Sequence, residues 1–170
     1  MLLDGNNMIE LLSLPEWDEK IIDMLEEFGE ERPVYDPNDT TIFIKPAGYD
    51  IEMMFDDWII TDKQKEMAGQ GNLYFNQIIL KNTTKIKFPF GIEAVDNYKT
   101  ISKKIGKKAD YTNKYDDTRL TWLLDDGEKK YFLGCNFDDQ SFNTLKRISL
   151  TLYDKEIDYF DEDGGLVPNE

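Results

Sequence analysis

The chain has 170 residues, of which 40% are hydrophobic and 13% aromatic, so it can bury a core and general disorder is excluded. Its 35 acids against 20 bases give a net charge of −15, a field that repels nucleic acid and anionic membranes and attracts basic proteins. Histidine is absent, which removes the Ser-His and Cys-His nucleophile pairs and every histidine-based metal site.

From the N-terminus, "MLLDGNNMIE" carries acids where a secretion leader needs bases and a long apolar region, so the chain is expected to stay in the cytoplasm. In "SLPEWDEKIIDMLEEFGEE", Trp17, Ile21, Leu25 and Phe28 fall on one helical stripe. Ser13 is the expected N-cap, with Pro15 and Glu16 in the first turn, and Gly29 is the expected stop. After a turn-rich connector, "TIFIK", "PAG" and "YDIEMMF" predict strand, turn and strand. "DDWIITDKQKEMAGQGN" reads as a polar excursion broken by Gly69 and Gly71, and "LYFNQIIL" as a third strand.

The same order then begins again. A Pro-Phe-Gly turn precedes a helix holding Val95, Tyr98, Ile101 and Ile105, with Gly106 as its stop. "TRLTWLL", an Asp126-Gly127 hairpin of type I′, "KKYFLGCNF", a loop and "KRISLTLY" follow. The single Cys135 has no internal partner and apolar neighbours, as a buried thiol in a reducing compartment would. The acidic "DKEIDYFDEDGGLVPNE" is expected to be short structure to about Phe160, then a mobile tail.

Helix, glycine stop, strand, turn, strand, loop and strand thus occur twice, in copies of about 75 residues. Both second strands end in Phe-Asp-Asp, at Phe55-Asp56-Asp57 and Phe137-Asp138-Asp139. The expected fold class is α+β. It is a tandem pair of modules, each a helix with an antiparallel sheet of three to four strands, with the helices on one sheet face. The boundaries are 1–82, 83–157 and an acidic flexible tail at 158–170.

Neighbouring strand residues point to opposite faces, so an Asp-Asp pair does not chelate one ion through both side chains. The Asp pairs therefore read as strand ends and turns. Asp158–Gly165 lacks the alternating acids and closing Glu of a calcium loop. Asp117 with Glu128 and Lys130 is the residue set of a divalent-metal hydrolase, the rival to a binding protein, and an adaptor domain of a larger assembly is a third reading. The lysines of 81–114 read as a solvated helix end rather than a nucleic-acid face. Trp122 alternates with Leu120 and Leu124 as a core residue does. Trp58, following two aspartates at a strand end, is an expected interface anchor.

The second half, with Phe90-Gly91-Ile92 before its helix and Ile105-Gly106-Lys107 at its end, resembles the α/β module of the BamE/SmpA lipoproteins. Two such modules in tandem resemble beta-lactamase inhibitor protein, whose paired sheets form a concave protein-binding face. They also resemble bacterial immunity proteins that neutralise polymorphic or contact-dependent toxins. The resemblance spans roughly residues 10 to 153. The chain departs from the lipoproteins in that no leader or lipidation cysteine is expected from its first residues, and from the inhibitor protein in that its single cysteine forms no internal disulfide pair. It implies a cytoplasmic, non-enzymatic immunity protein, monomeric when free, with a basic toxin domain, a nuclease by class, as its partner. No cofactor, metal, nucleic acid or membrane enters this expectation. With acids imitating phosphates and an aromatic anchor among them, the expected partner-binding residues are Asp56, Asp57, Trp58, Asp138 and Asp139, on two acidic sheet edges of one surface, with the tail acids Asp161, Glu162 and Asp163.

Overall fold

The computed structural model describes residues 3–69 and 71–169. They form an α+β fold: one eight-stranded antiparallel sheet whose core side is covered by α1, α2 and α4. In chain order the elements are α1 (Gly5–Leu11), α2 (Glu19–Glu27), β1 (Thr41–Ile44), β2 (Ile51–Asp56), α3 (Asp62–Met67) and β3 (Tyr74–Lys81). A 3-10 turn at Pro89–Gly91 leads to α4 (Tyr98–Ile105), β4 (Tyr111–Asn113), β5 (Asp116–Asp125), β6 (Lys130–Phe137), β7 (Leu145–Leu152) and β8 (Leu166–Pro168).

The strand order is β1-β2-β3-β7-β6-β5-β4-β8. Two meanders, β1-β2-β3 and β5-β6-β7, join through the antiparallel pairing of β3 with β7. Register defines one row across five strands, Met53, Ile78, Leu150, Leu133 and Trp122, and all five side chains are fully buried. Burying each is worth about 1.5–3 kcal/mol. Met8 and Leu12 from the α1 end, Ile21, Met24 and Leu25 from α2, and Ile101 from α4 belong to the same core. One continuous core therefore serves both meanders. Residues at the alternate positions point to the other, helix-free face.

Both meanders carry a bulge opposite the Phe of Phe-Asp-Asp. Phe55 pairs with Phe75 while Met54 pairs with Gln77, which leaves Asn76 as the extra residue. Phe137 pairs with Leu145 while Asn136 pairs with Arg147, which leaves Lys146. Such bulges re-aim the side chains beside them.

Several expectations are corrected. The first long helix starts at Glu19 with Asp18 as N-cap, not at Ser13. Residues 13–16 instead run beside β3, through Ser13 N–H to Phe75 O at 2.7 Å and Glu16 N–H to Leu73 O at 2.8 Å. The polar excursion contains α3, capped by a Thr61/Gln64 capping box. Val95 precedes α4 and is exposed. In the hairpin, only Gly127 has positive φ, so the turn is not type I′. Of the segment expected to be a flexible tail at 158–170, the described residues 158–169 have a defined fold. The segment crosses the helix-free face, where Tyr159 packs edge-on against Phe132 at 4.8 Å and stacks with Tyr153 at 5.6 Å. It then adds β8 to the edge at β4. Aromatic burial outweighs the glycines that suggested disorder, and Gly165 (φ 73) supplies the turn into the strand.

Candidate protein-binding face

Of the candidate residues, Asp56 and Trp58 border the helix-free face. Asp56 ends β2, and its buried carboxylate accepts from Asn76 Nδ2 and, at 3.1 Å, from Trp58 N–H. The Asn76 carbonyl accepts from Gln64 Nε2 at 3.0 Å, and the same nitrogen donates to Ser13 O at 3.0 Å. Gln64 Oε1 in turn accepts the N–H groups of Ile60, at 2.7 Å, and Thr61, at 3.0 Å. This chain of buried amides pins residues 57–64 to the end of the sheet. Desolvation raises the Asp56 carboxyl above its ordinary value; the bonds from Asn76 and Trp58 oppose the shift, and the Asp57 charge adds to it.

What this network holds in place is apolar and exposed. Trp58 is 54% exposed and Ile59 43%. Beside them lies an open dent of about 260 Å³, lined by Met54, Asp56, Trp58, Ile60, Asn76, Thr151, Leu152, Asp154, Ile157 and Tyr159. Its walls are mostly aliphatic and aromatic, and its two carboxylates are Asp56 and Asp154. Phe43, 56% exposed, stands on the same face, opposite Met54 in register.

The two Phe-Asp-Asp sites do not come together. β2 and β6 are three positions apart in an antiparallel sheet, so they run in opposite directions and end at opposite ends of it. Asp56, Asp57 and Trp58 lie at one end, Asp138 and Asp139 at the other, and the expectation of two acidic edges on one surface is corrected. Asp139 is a turn former. Its carboxylate accepts from the Ser141 hydroxyl and, at 2.9 Å, from Ser141 N–H, and these bonds lower its pKa. Asp138 is exposed. Asp161 likewise closes a turn, accepting Gly164 N–H at 2.7 Å. Glu162, whose backbone carbonyl accepts the Tyr115 hydroxyl, and Asp163 are exposed beside it.

The rival hydrolase set is also dispersed. Asp117 is the second residue of β5 and Glu128 lies in the hairpin beyond its far end. Ten strand residues span about 33 Å. Among the described residues no group of three or more acids or cysteines could hold a metal ion.

Sequence reasoning passed over the basic groups of this face. Arg119 lies flat across Gly134, donating from Nη1 to Asn136 Oδ1 at 2.6 Å and from Nη2 to Ser149 Oγ at 2.9 Å. Asn136 donates to Asp116 Oδ2 at 2.9 Å and accepts from Arg147 Nε at 3.3 Å. A visible signal was the Gly134 interruption in an otherwise bulky strand, which marks a close approach.

Among the described residues no helix is long and apolar enough to cross a membrane. Compared with protein-family models, with curated proteins and with solved structures, the chain finds no match.

Proposed function

We propose that this chain is a cytoplasmic immunity protein that binds a basic bacterial toxin domain, a nuclease by class, and neutralises it through the helix-free sheet face. The observation that carries the reading is the pinned display of Trp58 and Ile59 over an apolar dent containing Asp56 and Asp154. An exposed tryptophan on a loop fixed by buried hydrogen bonds loses little freedom on binding, which is how an interface anchor contributes most. The net charge of −15 favours a basic partner and would speed its approach. A cationic side chain entering the dent would give the buried Asp56 carboxylate a counter-charge.

The test is to sequence the genes adjoining this chain's own and to co-express it with any toxin domain they encode. Growth should be restored, and the purified pair should co-elute with an association rate that falls as salt rises. Trp58→Ala should abolish protection while the protein stays folded. Growth arrest undiminished by the parent chain, with no complex on co-purification, would reject the reading. A complex indifferent to salt and to Asp154→Asn would reject its electrostatic part.

A further inference from the structure

Away from the dent, the same face carries charge of the opposite sign. Register places Lys81 of β3 opposite Arg147 of β7, Arg147 opposite Asn136 of β6, and Asn136 opposite Arg119 of β5. Residues opposite one another share a face, so these four form one lateral row across adjacent strands. Lys81 and Arg147 are like charges in direct opposition, an arrangement that costs stability. Among the described residues none of the three cations forms an ion pair with a carboxylate within 4 Å, and the one carboxylate that acts on both arginines, Asp116, does so across the Asn136 amide.

The guanidiniums are placed rather than loose. One amide oxygen, Asn136 Oδ1, accepts from both Arg119 and Arg147, and Asp116 fixes that amide from its other end. Gly134 leaves the slot: a Cβ there would overlap the Arg119 guanidinium and lie 2.7 Å from Ser149 Oγ. A guanidinium has five N–H donors, so among the described residues Arg119 keeps three without a protein acceptor and Arg147 keeps four. Burial costs Arg119 hydration and draws its pKa below the ordinary value. Unpaired, oriented donors on a desolvated cation favour a planar oxyanion, which they can engage in bidentate fashion.

The row covers three strand-to-strand steps, about 14 Å, the reach of a short extended segment. The acidic remainder of the molecule would repel a long polyanion such as nucleic acid. We propose that the Lys81–Arg147–Arg119 row is a carboxylate-binding strip that receives an acidic segment of the protein partner. The proposal rests on the reading of this face as a partner-binding surface. It adds that a partner basic overall brings carboxylates to one end of the contact, so the interface carries both signs and fixes its orientation.

The strip can be tested without the toxin. A ¹⁵N-labelled chain is titrated at low ionic strength with a blocked hexaglutamate peptide and, separately, with inorganic phosphate. Hexaglutamate should shift the Nε–Hε signals of Arg119 and Arg147 saturably, against the net repulsion. Lys81→Gln and Arg147→Gln alter exposed side chains and should keep the parent circular dichroism. Each should weaken the peptide about tenfold. No saturable shift at these signals, unchanged affinity in Arg147→Gln, or phosphate binding as tightly as the peptide would overturn the proposal. Neutralisation by Trp58→Ala reads the other end of the face, so failure of either experiment leaves the other interpretable.

Discussion

Asn76, the extra residue of the β3 bulge, donates its side-chain amide to the carboxylate of Asp56 at the end of β2, and both side chains are buried. The bulge turns Asn76 towards Asp56 instead of into the regular alternation. The loop that bears Trp58 therefore begins at a fixed point.

The Asp56 carboxyl has a raised pKa in the folded state, chiefly through desolvation. The native state thus holds this proton more tightly than the unfolded chain. Its contribution to stability is complete below the unfolded value, about 3.9, and is lost as pH rises through the folded value. Asp56→Asn keeps an acceptor for Asn76 and Trp58 without the buried charge. It should be more stable than the parent at pH 7, and urea titrations should show that advantage disappear below about pH 4. Asp56→Ala removes the acceptor and should cost about 1–3 kcal/mol.

Gln64 is the middle of the amide chain and is fully buried. Gln64→Ala leaves the Ile60 and Thr61 N–H groups and the Asn76 carbonyl without their partner. A loss of about 2–3 kcal/mol in chemical denaturation is expected. Partner binding should weaken along with stability. Trp58→Ala should change stability by no more than about 0.5 kcal/mol, since its side chain is largely in water.

A chain ending at residue 154 loses Tyr159, Phe160 and β8. Phe132, Tyr153 and Tyr111 then face solvent, and β4 becomes an open edge. Thermal scans should show a loss of about 3 kcal/mol or more, and light scattering should show self-association. A truncated chain as stable and monomeric as the parent would show that the segment contributes no packing.

The Cys135 thiol is fully buried, and desolvation pushes its pKa up to about 12, with Arg119 acting the other way. The thiolate is the reactive form. An aromatic disulfide reagent at pH 8 should leave the native protein unlabelled over minutes and label it fully in denaturant.

The six strands of the two meanders were legible because their apolar residues alternate, as at Leu120, Trp122 and Leu124, or run continuously where both faces are covered. Helix α4 was legible from its Gly106 stop. The start of α2 was not, because Ser13 is an ordinary N-cap residue by composition while tertiary hydrogen bonds commit its backbone to β3, at φ 81. Helix α3 did leave a mark, the Thr61-x-x-Gln64 capping box, hidden by a segment too polar to show periodicity. The candidate site was legible at Asp56 and Trp58 and not at Arg119. A local pair announces itself in sequence, whereas a row of cations exists only once β3, β7, β6 and β5 are aligned.

The seam between β3 and β7 has a consequence for synthesis. Both β3 neighbours are needed to satisfy its backbone, and β7 emerges roughly 70 residues after it, several seconds at ribosomal speed. During that interval the nascent N-terminal half presents an unpaired strand rich in isoleucine, the kind of edge on which chains from one polysome join. Lys81, at the tip of that strand, is then a charge on a bare edge, where it would discourage wrong pairing before Arg147 arrives beside it.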